Sequence, residues 1–139
     1  MAVLAALVLL PIAGCRAANA DPVEAGLGGP FVLQGGQQVT ITGGGLHLRF
    51  TQVLEDSRCP RLVACVWTGQ ARITVIAETA GREPIPLELN TNPAPGQGVQ
   101  TGRVNEFTIT LDALDPYPQA PEDQVALEDY RATLSVRND

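Results

Sequence analysis

With 139 residues the chain has room for one domain, and fifteen acidic against nine basic residues leave a formal charge of −6. Every basic residue is an arginine, scattered singly among acids; no nucleic-acid partner is expected, because phosphate backbones select basic stripes. A domain of this size buries roughly two thirds of the surface its unfolded chain exposes, so its three cysteines need a reason other than a missing core.

Ala2 to Ala13 (AVLAALVLLPIA) is an uncharged apolar run, too short for a helix across ~30 Å of hydrocarbon, which takes ~20 residues. It has the length of a signal-peptide h-region and predicts export, with residues 1–14 as the signal peptide. The positive n-region that usually precedes such a run is missing, and a start upstream of Met1 would supply it. Two processing sites follow. Ile12-Ala13-Gly14-Cys15 resembles the bacterial lipobox, whose cysteine is acylated and becomes the mature N-terminus, whereas Ala18-Asn19-Ala20 is an A-x-A site that would release a soluble domain at Asp21. Pairing Cys59 with Cys65 leaves Cys15 over, and lipidation gives that exported thiol a purpose; a retained anchor helix is disfavoured by the length of the run. By resemblance to bacterial lipoproteins, Cys15 would carry a thioether diacylglycerol and an N-acyl chain, a lasting membrane anchor at ~0.8 kcal/mol per buried methylene. Arg16 stands where aspartate would direct retention in the inner membrane by that family's sorting rule, so the expected address is the outer membrane or outer cell surface.

Residues 15–30, small and glycine-rich, read as a lipidated tether, and residues 31–139 as the folded domain. From Phe31 onward seven short runs alternate apolar and polar residues, the period of half-buried strands. Val39 and Ile41 point inward, and Gly43 to Gly45 turn the chain into Leu46, Leu48, Phe50 and Leu54, a face that Gln52 breaks; a β-bulge beside it would restore the pattern, and a satisfied inward glutamine is equally allowed. Cys65, Trp67, Gly69, Ala71, Ile73, Val75 and Ala77 share one face of the clearest run. Then come Ile85, Leu87 and Leu89; Phe107, Ile109 and Leu111; and Tyr130, Ala132, Leu134 and Val136. Turn formers fill residues 90–102 and 115–121, and one helical turn is predicted over Glu122 to Leu127. The fold class is all-β, an antiparallel sandwich of immunoglobulin-like kind or a small barrel of about seven strands.

Cys59 and Cys65 close the connection between two neighbouring strands, where an oxidising compartment makes a disulfide natural. Five intervening residues and a strand setting do not suit dithiol catalysis, and the only histidine, His47, lies on a polar strand face, which leaves zinc or copper without further ligands. Trp67, on the face of Cys65, is expected in the core against the disulfide, and Glu55 and Asp56 are expected to pair with Arg58 or Arg61. Residues 55 to 69, read as E-D-S-R-C-P-x4-C-x-W-x-G, with the flanking D-P-Y-P and the closing D-Y-R-A-T-L-S-V, resemble a group of small exported bacterial proteins and lipoproteins. The likeness covers most of the domain and marks Glu55, Asp56, Ser57, Arg58, Pro60, Trp67, Gly69 and Tyr130 as a structural motif; Thr68 stands where the group favours alanine. No activity is established for that group, so the likeness implies one type of β domain and no reaction.

Carboxylates cluster at Glu55/Asp56, Glu122/Asp123 and Glu128/Asp129, a solvated-loop pattern; Asp112, Asp115, Asp123 and Asp129 are the candidates for a calcium site, without a spaced D-x-D-x-D-G loop. No G-x-S-x-G elbow and no glycine-rich cradle opening a helix occur. The favoured expectation is a non-enzymatic, membrane-anchored envelope domain without cofactor, binding an envelope protein, a glycan or a small ligand through loops at one end. The alternatives are a calcium-dependent binding or hydrolytic module on the C-terminal acidic loops, and a redox protein.

Overall fold

The computed structural model describes residues 23–92 and 100–139; the expected signal peptide, Cys15 and both processing sites lie outside them. The described chain forms nine strands: β1 Val23–Ala25, β2 Pro30–Gln34, β3 Gln38–Ile41, β4 Leu46–Asp56, β5 Ala71–Thr79, β6 Ile85–Asn90, β7 Thr101–Val104, β8 Phe107–Asp115 and β9 Arg131–Asn138. They make two sheets, β1-β3-β4-β5-β6 and β2-β9-β8-β7, antiparallel throughout except for the parallel pair β1 and β3. Inward side chains of both sheets enter one core, so the fold is a β-sandwich. Most sheet neighbours are also neighbours in sequence, a meander order, in contrast to the Greek-key connections of an immunoglobulin domain.

Alternation accounts for the core. Val39, Ile41, Leu46, Leu48, Phe50, Ala71, Ile73, Val75 and Ala77 are buried from one sheet, and Phe107, Ile109, Leu111, Ala132, Leu134 and Val136 from the other, as expected of strands with one wet face. Gly43 and Gly45 take positive φ angles of 84° and 61°, which lets the β3–β4 turn close where a side chain would strain it. Two strands were not expected. β1 falls inside the segment read as tether, where only three residues pair and no alternation could announce them; β7 is a four-residue strand whose first two residues, Thr101 and Gly102, fall in the stretch read as turn.

Three inward assignments are corrected. Of the two readings open at Gln52 the structure has the bulge, between Phe50 and Gln52, and a second lies between Val53 and Glu55. Each extra residue reverses which parity faces the core, so Val53 packs against it and Leu54 is turned out. Ile85 is exposed because β6 is an edge strand. The third, Trp67, belongs to the site. The predicted helical turn forms later, as a 3-10 turn at Leu127–Asp129. Upstream of it the Asp123 carboxylate accepts from the amides of Gln119 (2.8 Å) and Ala120 (2.9 Å), closing a tight turn.

Candidate functional site

Two connections meet at one end of the sandwich: residues 57–70, between β4 and β5, and residues 116–130, between β8 and β9. The amides of Arg61 and Leu62 donate to the carbonyls of Pro118 and Gln119 at 3.1 and 3.0 Å, holding the two side by side. Asp115–Pro116 is a cis peptide.

Arg58 is the hub. Its side chain is only 7% exposed, and it makes a bidentate pair with Asp56, Nε to Oδ1 at 2.8 Å and Nη2 to Oδ2 at 2.7 Å. The remaining donors satisfy the second sheet: Nη1 reaches the Leu114 carbonyl at 2.6 Å and Nη2 the Pro116 carbonyl at 3.0 Å. A guanidinium so deep in protein is stable only when its charge is paired and its N–H groups are used, and both conditions hold. The Tyr130 hydroxyl donates to Asp56 Oδ2 at 3.0 Å; burial first, and that carboxylate second, push the phenol up to about 12. Thus Asp56 at the end of β4 and Arg58 just past it, with Leu114 of β8 and Pro116 and Tyr130 of the β8–β9 connection, form one network across the sandwich.

A second network fixes the outer face. Glu55 accepts from Arg72 Nε (2.8 Å), the Ser57 hydroxyl (2.9 Å) and Gln70 Nε2 (3.2 Å), and Arg72 also pairs with Glu88 at 2.7 Å. The hydrogen bonds from Arg72 and then Ser57 hold the Glu55 carboxyl below its ordinary value, and Arg72 is raised in turn. Gly69 sits at φ +66° with its missing Cβ only 1.9 Å from the Ser57 carbonyl oxygen, so no other residue fits there.

Cys59 and Cys65 are bonded, with Cα atoms 6.0 Å apart. The loop they close does not continue β5, which starts at Ala71; the positive φ at Gly69 ends the extended run before Trp67 can acquire a core side. Trp67 is therefore 64% exposed, a correction of its expected burial, and Leu62 (79%), Val63 (37%) and Val66 (95%) are exposed with it. These three were not singled out from sequence. For Leu62 and Val63 the signal was there, apolar residues between two cysteines with no strand period; Val66 was hidden on the polar face of the run read as a strand from Cys65.

Beside this tip opens a recess of about 400 Å³, lined among others by Arg61, Thr68, Asn92, Asp112, Asp115 and Tyr117. The Tyr117 ring has both Arg58 and Arg61 guanidiniums 5.0 Å from its centroid, and its hydroxyl donates to the Cys59 carbonyl at 2.8 Å. Asn92 donates to Thr68 Oγ1 and to the Gly69 carbonyl, both at 3.1 Å. A smaller hollow of about 290 Å³ runs along Trp67, Pro60, Pro118, Val125 and Tyr130.

The structure gathers Glu55, Asp56, Ser57, Arg58, Pro60, Gly69 and Tyr130 at this end, and Trp67 at its surface. It does not gather the calcium candidates: Asp112 and Asp115 line the recess, Asp123 caps its turn, and Asp129 lies in the 3-10 turn. Among the described residues no group of three or more His, Cys, Asp or Glu is placed to hold a metal ion. The two backbone amides bonded to the Asp123 carboxylate hold it below its usual value, which identifies a structural cap. His47 is remote in β4, its Nδ1 3.1 Å from Thr40 Oγ1. No protein family, curated protein or solved structure matches this chain.

Proposed function

We propose that the chain is an exported lipoprotein, anchored through acyl chains on Cys15, whose sandwich is a non-enzymatic module binding an envelope glycan or protein at the disulfide end. The recess next to the disulfide loop is the observation that carries this reading. Its wall combines one aromatic ring with hydroxyl, amide and charged groups, the mixture that orients a polar ligand, and its volume is in the range of small-ligand sites. Its frame is rigid, since the Arg58 network and the disulfide tie the loops to both sheets. Asn92, Thr68 and Tyr117 there are engaged with their own chain, which fixes their positions for recognition. The disulfide fits an oxidising compartment. No helix among the described residues is long and apolar enough to cross a membrane.

Intact mass of the mature protein from its own envelope fraction tests the anchor: the expected N-terminus is acylated Cys15, and a start at Asp21 refutes it. A photo-crosslinker at Thr68, beside the recess, is expected to trap an envelope glycan or protein in living cells. A yield no higher than from the same group at Glu78, paired with His47 far from this end, refutes the binding site.

A further inference from the structure

The apolar tip of the disulfide loop remains to be explained. Leu62, Val63, Val66 and Trp67 are exposed within six consecutive positions, held out by a disulfide and by backbone hydrogen bonds to Pro118 and Gln119. Residues 59–68 contain a single charged side chain, Arg61, in a chain with fifteen acids. Apolar side chains led by a tryptophan, with a cation and no carboxylate on the same loop, have the composition that settles at a bilayer surface: Trp at headgroup level, arginine against lipid phosphate.

Strand register says where the anchor would enter. Val23 in β1 is level with Val39 in β3, and Val39 with Leu48 in β4. Because β1 runs antiparallel to β4, the chain comes into Val23 from the side toward which β4 runs, which is the disulfide side. From Leu48 to Asp56 β4 advances about 26 Å at ~3.3 Å per residue. Cys15 precedes Val23 by the same number of residues, and that length of chain reaches at most about 29 Å. With its strands upright on the membrane, the domain has almost no slack to lift the tip clear of the surface that holds Cys15.

We infer that the disulfide loop is a membrane-docking tip: Leu62, Val66 and Trp67 enter the bilayer interface beside the acylated Cys15, and Arg61 meets the phosphates. The inference rests on the proposed anchor and adds an orientation, with the disulfide end facing the lipid, so that the glycan or protein proposed for the recess beside it is one lying at the membrane surface.

Trp67 is the chain's only tryptophan, so its emission reports on this loop alone. Mature protein is reconstituted into vesicles of phosphatidylethanolamine and phosphatidylglycerol, with and without bromine on the acyl chains, and its mass and co-flotation are recorded alongside fluorescence. The expected result is an acylated Cys15, blue-shifted emission quenched by the brominated chains, and several-fold weaker quenching by aqueous acrylamide than in detergent-free solution of the unlipidated Cys15→Ser chain. Leu62→Ser combined with Val66→Ser, at two exposed positions that leave the core untouched, is expected to float as before while Trp67 returns to aqueous emission. Protein that is acylated and floats but shows Trp67 open to acrylamide and untouched by bromine overturns the docking tip and leaves the anchor standing, the tip then being free for a protein partner. An unacylated mature protein overturns both.

Discussion

Replacing Arg58 by alanine removes four hydrogen bonds from the middle of the disulfide end: two to Asp56 and one each to the Leu114 and Pro116 carbonyls. Asp56, itself 14% exposed, would keep only the Tyr130 hydroxyl among those partners. Breaking a buried ion pair by deleting one member typically costs about 3–5 kcal/mol, because the other charge stays behind, and each orphaned carbonyl adds about 1 kcal/mol unless water reaches it. The recess adjoins Arg58, so water refills part of the gap and the lower half of the combined range, about 3–5 kcal/mol, is expected. For a domain of this size that is roughly a 10–20 °C fall in Tm. Far-UV circular dichroism during urea and thermal unfolding is the assay of choice, since Trp67 is exposed in the folded state and its fluorescence changes little. Arg103→Ala provides the comparison: its pair with Asp139 is 70% and 43% exposed and should be worth less than ~1 kcal/mol. Equal losses for the two variants would refute the view that Arg58 ties the sheets together.

Trp67→Ala should change stability by no more than ~0.5 kcal/mol, against the ~3–5 kcal/mol that a core tryptophan would cost, so one urea titration decides between exposure and burial. Replacing both Cys59 and Cys65 by serine should cost ~2–3 kcal/mol through the loop entropy returned to the unfolded chain, and dithiothreitol should bring the wild type to the same midpoint. Tyr130 ionises more readily unfolded, near 10, than folded, near 12. Its contribution, on the order of 2 kcal/mol, is complete below pH 10 and disappears as the pH rises to 12; Tyr130→Phe should flatten that part of the pH–stability curve. On the acid side Glu55 has the opposite sign: its stabilisation is present above its ordinary 4.5 and is lost as the pH falls below that, a decline that Glu55→Gln should weaken.

Much of the sandwich was legible because an alternating strand states which side is dry. Phe107, Ile109 and Leu111, or Ala132, Leu134 and Val136, could be assigned to the core from their period alone, and they are buried. The motif around the cysteines was equally legible as a unit, and Asp56 does pair with Arg58. Its distant partners were not. That Arg58 would cap the carbonyls of Leu114 and Pro116, and Tyr130 hold Asp56 from the other sheet, depends on which loops meet, and sequence separation says nothing of that.

Local pattern by itself determined the strand period, the cysteine pair and the residues that hydrophobic burial must remove from water. Tertiary structure alone decided which of the remaining apolar residues stay outside. Trp67 continues the dry parity of β5 on paper, but period carries meaning only while a backbone is paired in a sheet. The chain leaves β4 after Asp56 and rejoins the ladder at Ala71. In between, the disulfide and the left-handed turn at Gly69 set side-chain direction, and they turn the chain's one tryptophan toward solvent.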